Sequence, residues 1–443
     1  MMHRIRQLRL RGVVLLALFC LLLSACARGT SSSGHALVVT GNTPGATPSG
    51  GGASSSHSAV ESRARAEQRL STSANWYLSR MSLDEKLGQM FLIETGWQNY
   101  NGDTDNMVAG MHAGAMIIYQ QNMATYGQLQ SYIAAIQAHA KIPLLMSMDE
   151  EGGVVDRLGY LGFEPPLPAA QDLAASGNPN NATRAGAAAA KEMIALGINT
   201  DLAPVADVRT NPYAVEYTRI FGDDPQTVTT YAGAFLQGLQ SNGVIGCVKH
   251  WPGLGDVALD PHETLPTNDR TLAQLQSVDF APFKALLPLN PGMIMVTHII
   301  VSAIDPTMPA TLSPKLVDGV LRGQLGYQGV VMTDSLYMKG ISDRYSLPEA
   351  GVLAVIAGDD LLEGAYDTTS MSAMIAALKQ AISSGRITID RINQSVRRIL
   401  MLKIRYGMLP LRQVPGSPQL ASIPGAASAP SAIADADVPK WVA

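Results

Sequence analysis

The sequence predicts a (β/α)8 barrel of the TIM type, folded as one domain over residues 63–411. Three observations lead there. Eight short apolar runs alternate with helical patterns, which is the order of parallel βαβ units. Charged side chains recur at the C-terminal ends of those runs, and a barrel gathers such ends on one face. No Gly-x-Gly-x-x-Gly follows the first run, which argues against an open sheet built to bind a dinucleotide. The chain has 443 residues, 47% hydrophobic and 15% charged, enough for a large core. Its formal net charge of -4 supplies no basic field, so nucleic acid is not an expected partner.

The first segment reads as a targeting signal. Arg4, Arg6, Arg9 and Arg11 precede an apolar stretch, Gly12 to Leu23, that is short for a membrane span. Leu23-Ser24-Ala25-Cys26 follows and resembles a bacterial lipobox, in which the cysteine receives lipid and becomes the first mature residue. Residues 1–26 are therefore expected to be a lipoprotein signal, with Cys26 as the attachment point. Residues 27–62 are rich in Gly, Ser, Thr and Pro and read as a flexible tether. Residues 412–443 read as a disordered tail. With Cys20 removed and Cys26 acylated, Cys247 remains as a single thiol, so no intrachain disulfide is expected.

Within the domain, Ser82 and Glu85 form a capping box ahead of a short helix. The expected strands are Met90–Glu94, Ala115–Tyr119, Pro143–Met148, Thr200–Pro204, Val244–Val248, Met293–Thr297, Val330–Thr333 and Asp360–Leu362. Helical patterns between them include Tyr126–Ala138, Ala182–Leu196, Gln226–Gln240, Leu272–Leu287 and Pro314–Leu325. A helix over Asp390–Tyr406 closes the order.

The most informative stretch is Lys249-His250-Trp251-Pro252-Gly253-Leu254-Gly255, continuing to Asp260-Pro261-His262. Its polar residues begin where the fifth strand is expected to stop, and Pro252, Gly253 and Gly255 impose a loop. Asp260 and His262 alternate along that loop, so the carboxylate can orient the imidazole as a proton donor. Asp334 leaves the seventh strand directly into the expected mouth, where a carboxylate can attack an anomeric carbon. Asp149-Glu150-Glu151-Gly152-Gly153 ends the third strand, and Arg219 lies in the loop after the fourth. His250, His262, His298 and Asp149 have the composition of a zinc site, but no His-Glu-x-x-His or Cys-x-x-Cys spacing supports one, and Lys249 adds like charge. No metal is expected.

In these motifs and their order the chain resembles glycoside hydrolase family 3, and within it the single-domain bacterial β-N-acetylglucosaminidases that act on peptidoglycan fragments. The likeness runs from about Leu83 to Leu409. The Asp-x-Glu-Gly-Gly motif is matched at Asp149 to Gly153, the lysine–histidine loop at Lys249 to Gly255, and the nucleophile segment at Thr333-Asp334. Leu254 and Pro261 stand where that subgroup has His and Ser. The resemblance implies Asp334 as nucleophile, His262 as general acid/base assisted by Asp260, and Asp149, Arg219, Lys249 and His250 as contacts to the sugar. Arg157 is expected to brace the third-strand loop.

The expected protein is thus a retaining β-N-acetylhexosaminidase without cofactor, monomeric, and attached to the outer side of the cell membrane through lipid alone. A β-glycosidase of other specificity, or a phosphorylase that replaces water with phosphate, is the alternative among enzymes. A non-catalytic sugar-binding lipoprotein is the alternative of another class.

Overall fold

The computed structural model describes residues 52–412. The signal and lipobox, the tether up to Gly51, and the tail from Gln413 lie outside the described residues. Eight parallel strands form the central sheet: β1 (Phe91–Ile93), β2 (Ala115–Ile117), β3 (Leu145–Met148), β4 (Thr200–Asp201), β5 (Ile245–Trp251), β6 (Met293–Val296), β7 (Val330–Thr333) and β8 (Leu362–Ala365). Each strand pairs with its successor from β1 to β7, and β8 pairs with β1 through Phe91↔Leu362 and Leu92↔Glu363. A parallel bridge between Met332 and Leu361 joins β7 to β8 and closes the ring.

Strand formation follows from burial on both faces. Every residue of β1, β2, β3, β6 and β7 is buried, and these stretches are continuous apolar runs broken only by Ser147 and Thr333. Two strands run further than their apolar stretches. β5 continues to Trp251, so Lys249 and His250 sit inside the strand rather than after it. The register with β6 shifts between Val248 and Trp251, and Trp251 pairs with Val296. β8 likewise continues past Leu362 and carries Glu363. Both extensions exist because neighbouring strands supply hydrogen-bond partners, a tertiary term that apolar periodicity does not report.

The helices pack outside the ring. The capping box forms as expected: Glu85 N–H donates to Ser82 Oγ at 3.2 Å, and Ser82 N–H donates to Glu85 Oε2 at 2.6 Å. The helices Pro179–Leu196 and Pro225–Ser241 approach closely through two glycines. A Cβ on Gly186 would lie 2.3 Å from the Phe235 carbonyl oxygen, and one on Gly238 would lie 2.3 Å from that of Thr183. The stretch expected as one helix over Leu272–Leu287 is instead wound in three pieces, with a wide turn at Leu275–Asp279 ahead of Pro282. Pro282 lacks the N–H an α-helix would use, and the wide turn absorbs that loss.

The first helix, Gly52–Leu78, begins inside the stretch read as a tether. Ala59, Glu61, Arg63, Ala64, Arg65 and Ala66 are strong helix formers, and they outweigh the shortage of large apolar residues. From His57 onward the chain is one compact unit. Its two ends meet: Tyr77 Oη donates to the Pro410 carbonyl at 2.9 Å, and Arg412 N–H donates to Ser73 Oγ at 2.9 Å.

Lys403, on the closing helix Ile389–Arg405, is fully buried, and its ammonium has Gln89 Oε1 as partner at 2.7 Å. Burial lowers its pKa to about 7. In the unfolded chain the same group holds its proton to about pH 10.4. Between those values unfolding takes up a proton, so stability should rise with pH through that window, with the full penalty present below it. Lys403→Met should therefore raise Tm most at pH 7 and least at about pH 10. A Tm difference between variant and parent that does not shrink with rising pH would remove this account.

Candidate active site

The C-terminal ends of the strands enclose a cleft of about 230 Å3. It is small beside the roughly 300 Å3 and upward of sites for drug-sized ligands, which suits a single sugar ring. Asp149, Arg219, Lys249, His250, Asp260, His262 and Asp334 all line it, so the structure brings together every residue expected to serve catalysis or sugar binding. Tyr119, Glu151, Arg157, Glu216 and Glu363 line it as well.

The floor is a chain of alternating charges. Lys249, 1% exposed, donates from Nζ to Asp149 Oδ1 at 2.7 Å and lies 2.6 Å from Glu151 Oε1. Arg219 forks onto Glu151, with Nε to Oε2 and Nη2 to Oε1 both at 2.7 Å. Its Nη1 donates to Glu216 Oε1. His250 Nδ1 faces Asp207 Oδ2 at 2.8 Å and Glu216 Oε2 at 3.1 Å. Gly152 and Gly153, with φ of 82° and 62°, turn the chain after Glu151 so that its carboxylate points back into the floor.

Glu151, His250 and Lys249 are held in their charged forms against the cost of burial. For Glu151, burial alone would raise the pKa, but the charges of Arg219 and Lys249 hold it down at about 2. Burial would discharge His250, yet the Glu216 charge and the hydrogen bond to Asp207 raise its pKa to about 10. Burial also works against Lys249, and Asp149 and Glu151 lift it well above its ordinary value. At neutral pH the floor thus presents Lys249 and His250 as fixed cations against the Glu151 carboxylate.

Asp334 follows β7. The Ser335 N–H donates to its Oδ1 at 2.8 Å, and Thr297 Oγ1 lies 3.4 Å from its Oδ2. No cation pairs with it among the described residues. Glu363 stands beside it on β8 and accepts from Tyr119 Oη at 2.9 Å. Burial, and then the Asp334 charge, push the Glu363 carboxyl well above its usual range.

The opposite wall is the loop after β5. Asp207 Oδ1 accepts from Leu254 N–H at 2.7 Å, and Arg270 ties Asp256 at 2.9 Å to Asp279 at 2.8 Å. Gly255 is pressed against the backbone, since a Cβ there would lie 1.9 Å from the Val208 carbonyl oxygen. Beyond these anchors the loop opens to solvent. The side chains of His262 and Asp260 are 67% and 38% exposed, and His262 Nδ1 lies 2.7 Å from Asp260 Oδ1. A carboxylate bonded to Nδ1 leaves Nε2 for proton transfer.

One expectation needs correction. Arg157 donates from its backbone N–H to Glu150 Oε2 at 2.8 Å, but its guanidinium braces nothing among the described residues. It lines the cleft with a buried, unpartnered Nε, and is therefore available to a ligand. His298 does not join His250, His262 and Asp149; it is fully buried against Thr311 and Ser335. The ligand-type cluster that does form is Asp207, Glu216 and His250, within 4.8 Å of one another. The strongly held Nδ1 proton of His250 occupies the space between its two carboxylates, so a metal would have to displace it.

Glu151→Gln leaves Lys249 and Arg219 short of their shared carboxylate. Breaking a buried pair costs about 3–5 kcal/mol, and denaturant unfolding should show a loss of that order. A loss under about 1 kcal/mol would mean that the floor carries little of the stability.

Comparison with known proteins identifies the family. The family model described as Glycosyl hydrolase family 3 N terminal domain matches residues 82–402. The chain is 33% identical over 332 residues to beta-hexosaminidase LpqI of Mycobacterium tuberculosis, covering 73% of this chain and 83% of that protein. It is 30% identical over 336 residues to beta-hexosaminidase A of Pseudoalteromonas piscicida, and there it covers 68% of this chain but 55% of that protein. The solved glycoside hydrolase family 3 beta-N-acetylglucosaminidase from Paenibacillus sp. str. FPU-7 superposes with a TM-score of 0.71 at 32% identity, over 82% of this chain and 68% of that one. The family model spans well over half of the sequence, and the chain belongs to glycosyl hydrolase family 3.

Proposed function

We propose that the chain is a retaining β-N-acetylhexosaminidase that removes terminal β-linked N-acetylglucosamine, with peptidoglycan fragments as its source. The observation that carries this reading is the pairing of two unlike groups on one cleft. Asp334 is a carboxylate without a cation partner among the described residues, and His262 is an exposed imidazole oriented by Asp260. The names of the relatives, beta-hexosaminidase and beta-N-acetylglucosaminidase, support the sugar class.

In the first step an Asp334 oxygen bonds to the anomeric carbon as the glycosidic bond breaks, and His262 gives its proton to the departing oxygen. In the second step His262 takes a proton from water. The resulting hydroxyl bonds to the anomeric carbon and releases Asp334, so the configuration is retained. Asp149, Arg219, Lys249, His250 and Arg157 hold the ring hydroxyls. No step calls for a metal or an organic cofactor.

The test is turnover of an aryl N-acetylglucosaminide beside the matching aryl glucoside, with Asp334→Asn as control. The N-acetyl substrate should give the far larger kcat/KM, and Asp334→Asn should lose almost all turnover while remaining folded. A ratio near one would defeat the hexosaminidase reading, and an active Asp334→Asn would defeat the nucleophile. An imidazole does not repel an incoming phosphate, so the assay is run with and without it. A sugar 1-phosphate product would turn the reading to phosphorolysis.

The lipobox-like Leu23-Ser24-Ala25-Cys26 supports a position on the outer side of a membrane, held through an acylated cysteine. Cys26→Ser should release the protein from the membrane fraction or stall its maturation. Unchanged partitioning into detergent would exclude the anchor.

A further inference from the structure

Ser335 is gripped from two sides. Its N–H donates to Asp334 Oδ1 at 2.8 Å, and its carbonyl lies 2.8 Å from His298 Nε2. A carbonyl only accepts, so Nε2 must carry the hydrogen. On the other side of the ring, Nδ1 lies 2.8 Å from Thr311 Oγ1, which is also 2.8 Å from the Thr297 carbonyl. The hydroxyl has one proton. It goes to Nδ1 if the ring is neutral, or to the Thr297 carbonyl if the ring is doubly protonated. Complete burial disfavours the charged ring and lowers its pKa, outweighing the Asp334 charge and the Ser335 carbonyl. The neutral ring with hydrogen on Nε2 satisfies both partners.

The imidazole is also fixed in place. Gly340 backs it so closely that a Cβ there would lie 3.1 Å from His298 Cβ. Gly340 N–H in turn donates to the Pro261 carbonyl at 3.1 Å, in the loop that carries His262. His298 itself does not line the cleft, so it can act on the reaction only through what it holds.

We propose that His298 is a positioning residue: through the Ser335 carbonyl it keeps the Ser335 amide on Asp334 Oδ1, which leaves Oδ2 as the attacking oxygen. The proposal rests on Asp334 as nucleophile. The chemical reason is directional. The Ser335 amide and carbonyl are separated by that residue's φ and ψ, so a fixed carbonyl restricts where the N–H can point. An amide bonded to one carboxylate oxygen orients the other toward the reacting carbon, and misplacement of a reacting group by about 1 Å costs on the order of a hundredfold in rate.

The test compares His298→Phe, which fills the space without a donor, with His298→Gln, whose amide nitrogen reaches the Nε2 position. The Phe variant should lose about a hundredfold in kcat with KM little changed, and Gln should recover most of it. Crystals of the two variants should show the Ser335 N–Asp334 Oδ1 contact broken in Phe and kept in Gln. A Phe variant within about threefold of the parent in kcat overturns the proposal. So does loss of activity and Tm to the same extent in both variants, which is the mark of a purely structural residue. A parent that does not cleave the aryl N-acetylglucosaminide defeats the hexosaminidase reading instead, and the contact distance in the two crystals still decides the role of His298.

Discussion

The constraint on which this molecule depends is that seven ionisable groups from three strand ends are removed from water together. Asp149, Glu151, Asp207, Glu216, Arg219, Lys249 and His250 would each be costly to bury alone. They are tolerable because each carboxylate touches at least one cation and Glu151 and Glu216 touch two, so the signs alternate across the floor. Replacing such a network with apolar side chains can leave a fold as stable or more so. Its value lies in what it offers a ligand: donors and acceptors whose orientation is set before the sugar arrives, so that binding does not have to order them.

Two sides of the cleft are built on different terms. The floor and the Asp334 side rest on strands and on buried contacts. The side that carries His262 is anchored by Asp207, Arg270 and Gly255, and then runs out into solvent. The proposed mechanism fits this division: the group that exchanges protons with a departing alcohol and with water is on the wet side, and the group that meets one carbon atom is on the rigid side.

The barrel was legible because its strands are buried on both faces and therefore leave uninterrupted apolar runs, and because charge falls where those runs end. Asp149, Lys249, His250 and Asp334 were readable for the same reason. Glu216 was not, since it lies in an irregular loop after β4 where no periodicity marks it, and its proximity to His250 and Arg219 exists only in space. Glu363 was passed over because the apolar run of β8 stops at Leu362 while pairing with β1 carries the strand further. Arg157 was expected to brace its loop; only its backbone N–H is bonded there, and the direction of its side chain is a rotamer choice that sequence does not encode.

A ring of eight strands has no free edge, yet it has one joint that no loop spans, between β8 and β1. That seam is closed by the pairing of Phe91 with Leu362 and Leu92 with Glu363, and the two ends of the folded unit meet through Tyr77 on Pro410. Everything that clasps it comes from the two ends of the folded unit. Fraying of either end therefore would not peel away a dispensable strand, as at the border of an open sheet; it would part the ring where Glu363 faces the cleft. The remote ends of the folded unit thus sit on the strand pair that carries Glu363 into the cleft, and what holds them together also holds that wall of the mouth.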